Sequence, residues 1–137
     1  MAMAITYEVS EDGSFVHTKV IGEYTEEDLV CHRMALVSDS RIKPGFGQLT
    51  DLTGGVASGI TEESLARIAK IAEAHPDKFQ GARYAIVAQK SKDFELAKLF
   101  ERIYGGPANV IVFYNLDIAK TWLGCKTELE AGGPRPP

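Results

Sequence analysis

Eight residues in the middle of the chain, Gly54-Gly55-Val56-Ala57-Ser58-Gly59-Ile60-Thr61, have the spacing of a phosphate-binding loop. In such a loop the glycines let backbone amides close on a phosphate, and a lysine reaches its outer oxygens. Ile60 stands where that lysine belongs, so nucleotide hydrolysis lacks its main electrostatic clamp. Free amides at a helix N-terminus hold anions, but Glu62 and Glu63 fall in the first turn and repel them. The simpler expectation is a pliable strand-to-helix turn over residues 53–59, with a modest anion or carboxylate site as the alternative. Asp51 precedes the turn, at a strand end, where open α/β sheets bind ligands. Its carboxylate can serve as a base or cap the turn through an Asx bond. The candidate ligand- or partner-binding set is therefore Asp51, Thr53, Gly54, Gly55, Ser58 and Thr61.

The other reactive side chains form no constellation. Cys31 and His32 are adjacent, so on a helix they diverge by about 100° and cannot make a nucleophile–base pair. His17, on a half-buried strand, reads as a surface or satisfied histidine, and His75 suits a helix C-terminus. Three scattered histidines give no metal-ligand spacing, and Cys31 with Cys125 cannot make a disulfide framework. Ser58 is in the wrong register for a nucleophile elbow. No catalytic residue, metal or cofactor is expected.

These residues must be positioned by a βα frame. Ile5, Tyr7 and Val9 alternate with polar residues and mark a strand; Asp12-Gly13 is a hairpin signal, and residues 14–21 return, with Gly22 ending the strand. Thr25 opens a helix with Glu26, Glu27 and Asp28 in its first turn, and Leu29, Val30, Met34, Leu36 and Val37 form its apolar stripe. Residues 48–52 read as a buried strand. Residues 61–74 form the next helix, with Leu65, Ile68, Ala69 and Ala72 on one face, ended by His75-Pro76. Residues 83–89 read as a strand in which Tyr84 to Ala88 are apolar on both faces, the pattern of a central parallel strand. Residues 91–93 cap a third helix carrying Leu96, Phe100 and Ile103, with Gly105 at its end. Residues 109–114 are the last strand, and Asn115 caps a fourth helix that Gly124 stops. Strands alternating with helices imply parallel pairing with right-handed crossovers.

Ile5-Thr6-Tyr7-Glu8, Gly22 with Thr25, Leu49-Thr50-Asp51-Leu52, the run from Gly81 to Val87, the run from Phe94 to Glu101, and Val112-Phe113 with Ala119 and Trp122-Leu123 occur in a characteristic order. Over residues 4–124 this ordered set resembles the bacterial SpoIIAA-like family, related to the STAS domains of anti-sigma-factor antagonists and grouped by fold with CRAL-TRIO lipid-transfer proteins. The resemblance implies a mixed five-stranded α/β sheet of STAS-like type, an N-terminal antiparallel hairpin followed by βαβα units and four helices, usually without enzymatic activity. In the antagonists a serine after an aspartate near the second helix is phosphorylated. Here Ser58 and Thr61 have no aspartate before them, and no phosphosite carries over.

With 137 residues, 45% hydrophobic and 25% charged, the chain suits one globular domain over residues 1–125, and residues 126–137 are expected to be a disordered tail. A net charge of −4 gives no reason to expect nucleic acid. No signal segment or membrane-length apolar run is visible, so a cytoplasmic location without membrane insertion is expected. The first functional reading is a non-catalytic regulatory or binding module that docks a protein partner or itself. Homodimerisation is expected because crossovers between consecutive strands put the helices largely on one face. The alternative is a carrier or sensor of a small apolar, lipid-like ligand, walled by the C-terminal aromatics, in a closed cavity of roughly 300 Å³. An enzyme using Asp51 and the glycine run is a third reading.

Overall fold

A computed structural model describes residues 4–104 and 109–124. The elements run β1 (Ile5–Val9), β2 (Phe15–Tyr24), α1 (Glu26–Ser38), β3 (Gly47–Ala57), α2 (Glu62–Ala74), α3 (Pro76–Phe79), β4 (Arg83–Val87), α4 (Ser91–Ile103), β5 (Asn109–Phe113) and α5 (Leu116–Leu123). The one helix beyond the four expected is α3, a single turn opened by Pro76 at its first position, where a missing N–H costs nothing. The expected end at Gly105, Cys125 and the tail lie outside the described residues.

The strands lie in sequence order, β1-β2-β3-β4-β5. β1 and β2 are antiparallel, with Ile5 opposite Val20, around a turn in which Gly13 takes a φ of 76°. The remaining pairs are parallel, and Leu49, Ala85 and Ile111 lie side by side across β3, β4 and β5. Tyr84, Ala85, Ile86 and Val87 are all buried, because β4 is covered on both faces.

Alternate residues on the strands feed two separate cores. Val16, Val20, Leu52, Tyr84 and Ile86 pack beneath α1, α2 and α4, with Leu36, Leu65, Ile68, Ala97 and Phe100. Leu49, Ala85 and Val87 pack on the opposite face against Ala119 and Leu123 of α5. The three long crossover helices thus share one face, as right-handed connections between neighbouring strands demand. The other face carries α5 over β3 to β5, while Ile21 of β2 stays 60% exposed.

The glycine run is not a loop. β3 continues through Gly54 and Gly55 to Ala57, and β2 continues past Gly22 to Tyr24, so that Gly54 pairs with Ile21 and Ala57 with Tyr24. A register shift between Lys19 and Ile21 lets the two strands stay paired. β4 stops opposite Asp51, leaving this part of β3 without a neighbour on that side. The Lys90 ammonium fills in, donating to the carbonyls of Thr53 and Gly55 at 2.7 and 3.0 Å. Glycine is required at position 55 for another reason: a Cβ there would lie 2.9 Å from Val20 and 3.0 Å from the Tyr24 ring.

Local signals hold elsewhere. Thr25 and Thr61 each make a reciprocal capping box, with Asp28 and Ser64 respectively. Asn115 caps α5, and Gly124 ends it in the left-handed region at φ 68°. α4 differs: its N-cap is Lys90, with no side-chain cap, and Ser91 is already helical. Arg67 of α2 donates to both oxygens of Glu26 at 2.6 and 2.7 Å, joining the starts of α1 and α2.

Candidate functional site

The six residues singled out by spacing do not converge. Asp51 is buried on the face of α5, where it accepts from the Thr53 amide at 3.0 Å and the Thr53 hydroxyl at 2.7 Å, the capping role expected of it. Gly54 and Gly55 belong to the sheet ladder. The Ser58 amide donates to the Tyr24 carbonyl at 2.9 Å, and Thr61 caps α2. The structure brings Asp51 and Thr53 together and leaves the rest as backbone or capping groups. The amides of Gly54 to Ala57 are in strand and that of Ser58 is taken by Tyr24, so they form no anion cradle.

The cavity of interest lies on the opposite face, between the sheet and α1, α2 and α4. It measures about 100 Å³ and is partly open, a third of the closed volume expected for a lipid-like carrier. β2 and β3 contribute Tyr24, Gln48, Thr50 and Leu52, and β4 contributes Tyr84 and Ile86. Leu29, Leu65, Ile68, Leu96 and Phe100 supply an aliphatic and aromatic wall from the helices. Closed apolar cavities of about 150 Å³ take a benzene-sized guest; this cleft is smaller, but it is partly open, so a guest of that size can extend beyond it.

Among the polar residues of this lining, Arg33, Asp93 and His32 can carry charge. Arg33 is 8% exposed. Its guanidinium sits over the rings of Phe79, Tyr84, Phe100 and Tyr104, 5.2, 5.2, 5.9 and 5.6 Å from their centroids. Its Nη1 donates to the Tyr84 hydroxyl at 3.2 Å, and the Tyr104 hydroxyl also interacts with the guanidinium. Burial and the neighbouring Tyr84 hydroxyl push the Tyr104 phenol above its ordinary range, so it stays neutral. Asp93 is 2% exposed and accepts from the Tyr24 hydroxyl at 2.9 Å. Burial, then the Asp93 carboxylate, raise the Tyr24 phenol and keep its proton in place.

His32 is the third. Gln48 donates from Nε2 both to Thr18 Oγ1 at 2.9 Å and toward His32 Nε2 at 3.1 Å, and Thr18 Oγ1 lies 3.1 Å from the same ring nitrogen. His32 Nε2 therefore acts as an acceptor. Burial, then the Arg33 charge, lower its pKa to about 3, so the imidazole is neutral. The Tyr7 ring, 5.4 Å away and tilted, packs beside it, held by a 2.9 Å bond to Asp39. A second histidine departs from expectation: His17 Nε2, on the face of α5, is buried without a partner among the described residues.

The polar lining could have been found in the sequence. Leu29, Arg33 and Leu36 are spaced as one helical stripe, as are Asp93, Ala97 and Phe100. A charge on an apolar stripe is the signal, and it points to Arg33 and Asp93. The stripe expected for α1 included Met34, which is 43% exposed; Arg33 and Leu36 are the residues of α1 that are buried. Of the C-terminal aromatics, Tyr84 and Phe100 line the cleft, whereas Tyr114 is exposed and stacks on Phe94 at 4.3 Å.

No family model and no curated protein matches the sequence. Among solved structures the chain is similar to an uncharacterised protein of the DUF3478 family from Shewanella loihica PV-4, described as having a SpoIIAA-like fold. The two share 23% identity over 88% of this chain and 92% of that one, with a TM-score of 0.56. No helix among the described residues is long and apolar enough to cross a membrane. Sheet order, antiparallel first hairpin and this structural likeness together establish that the chain has the SpoIIAA-like fold.

Proposed function

We propose that the protein is a non-catalytic binding module that takes one small, mainly apolar molecule in the cleft between its sheet and α1, α2 and α4. The observation that carries this reading is the cleft: a partly open space of about 100 Å³ with an aliphatic and aromatic wall. Recognition rather than reaction is supported by how the polar groups are held. The His32 nitrogen is engaged by Gln48 and Thr18, and the Asp93 carboxylate by Tyr24, so neither faces the other as acid and base. The cleft volume favours a sensor of a small molecule over a carrier of a long-chain lipid.

Methyl-resolved NMR during titration with toluene tests the proposal. Shifts confined to Leu29, Ile60, Leu65, Ile68 and Leu96, saturating at one toluene per chain, support it. Unsaturable shifts spread over the surface, or none in the cleft, refute it. Leu65→Trp, which fills the cleft with an indole, should abolish the saturable response while leaving the fold intact.

A further inference from the structure

We infer that the molecule bound in this cleft is a small amphipathic monocarboxylic acid, its carboxylate paired with Arg33 and its apolar body against the aliphatic wall. This rests on the binding reading above and adds the chemical class of the ligand. The starting observation is a charge without a counter-charge. Arg33 is 8% exposed, and arginine is rarely so buried unless an anion accompanies it. Among the described residues no carboxylate lies within ion-pair distance of it.

Its surroundings compensate only one aspect of the group. The four aromatic rings attract the cation through their faces. They do not accept the N–H bonds that lie in the guanidinium plane. A guanidinium has five such donors, and the Tyr84 hydroxyl takes one. The Tyr104 hydroxyl stands beside the guanidinium as a second neutral acceptor, but no carboxylate among the described residues meets it, and Arg33 lines the cleft. A planar two-oxygen acceptor matches that fork.

The second charged residue of the lining fixes the ligand's orientation. Asp93 lies in the first turn of α4, whereas Phe100 and Tyr104, which flank Arg33, lie seven and eleven residues further on. At 1.5 Å per residue, they stand roughly 10 to 16 Å along the helix from Asp93. An acid is repelled at the Asp93 end and attracted at the Arg33 end. A single arginine, with no lysine in the lining, balances one negative charge, which favours a carboxylate over a phosphate dianion.

Benzoate and benzyl alcohol, near-isosteres that differ in charge, are the probes. Isothermal titration at pH 7 should show benzoate binding at least about tenfold more tightly than benzyl alcohol, the worth of one charge-assisted hydrogen bond. In Arg33→Met the preference should vanish, with benzyl alcohol still binding within about threefold of the parent, which shows the cleft intact. Equal affinities in the parent protein, or benzoate binding unchanged in Arg33→Met, overturn the inference while leaving the binding cleft standing. If neither probe binds, both readings fall together.

Discussion

Gly55→Ala gives a sharp test of how the glycine run is built, because its neighbour provides the control. Neither Gly54 nor Gly55 has a positive φ, so alanine at either position costs nothing in backbone strain and narrows the unfolded ensemble by about 0.4–1 kcal/mol. The two differ in which face they present. A Cβ at 55 would enter the core 2.9 Å from Val20 and 3.0 Å from the Tyr24 ring; a Cβ at 54 would meet its nearest atom, the Val20 carbonyl oxygen, at 3.3 Å. Tyr24 and Val20 are 3% and 1% exposed, so neither can yield into solvent. Overpacking costs about 1–3 kcal/mol. Moving the Tyr24 ring also breaks its bond to Asp93, leaving a buried carboxylate short of a partner, for about 1–3 kcal/mol more. Gly55→Ala should therefore destabilise by about 3 kcal/mol, or roughly 10 °C in Tm for a domain of this size. Gly54→Ala should stay within about 1 kcal/mol of the parent. Urea melts with constant slope provide the measurement. Two variants of equal stability, or a neutral Gly55→Ala, would refute the assignment of faces, as a mobile loop over residues 53–59 would tolerate both changes alike.

The remaining predictions concern the polar lining and the caps. His32 has a folded pKa of about 3, below the ordinary value of about 6.5. The unfolded chain therefore binds the extra proton first, stability is full above about pH 6.5, and it falls as pH drops toward 3. The loss reaches about 2 kcal/mol by pH 5, at about 1.36 kcal/mol per pH unit. His32→Gln should lack this component, so the parent-minus-variant difference is flat from pH 7 to 9 and shrinks below; a difference independent of pH contradicts the neutral, acceptor histidine. Arg33→Met in the absence of ligand should leave stability unchanged or raise it by up to about 2 kcal/mol, since removing a buried charge offsets the lost ring contacts. A loss above about 2 kcal/mol would make Arg33 a structural keystone. Thr61→Ala should cost about 1 kcal/mol by thermal melting through the lost cap of α2; no loss would remove the cap from the account.

How much of this was legible in the chain depends on how local each signal is. Asp12-Gly13, Thr25, Thr61, Asn115 and Gly124 act within a few residues, and each turned out to do what its chemistry implies. The doubly apolar run of β4 disclosed a covered central strand. Gly54 and Gly55 misled because glycine has two uses: conformational freedom, which sequence suggests first, and absence of a side chain, which matters only once Tyr24 lies above it. The site was missed for a related reason. Spacing along the chain finds residues that lie close in sequence, whereas Arg33, Tyr84, Phe100 and Tyr104 meet across three elements. What could have betrayed the cleft was weaker: a charge on each of two apolar helical stripes, at Arg33 and Asp93.

The most direct test of the central claim is a crystal of the protein soaked in para-bromobenzoate, read by the anomalous signal of bromine. The account predicts one bromine per chain against Leu65, Ile68 and Leu96, with the carboxylate oxygens about 3 Å from the Arg33 nitrogens. Bromine found only on the outer surface, or in the cleft with the acid turned away from Arg33, would contradict it.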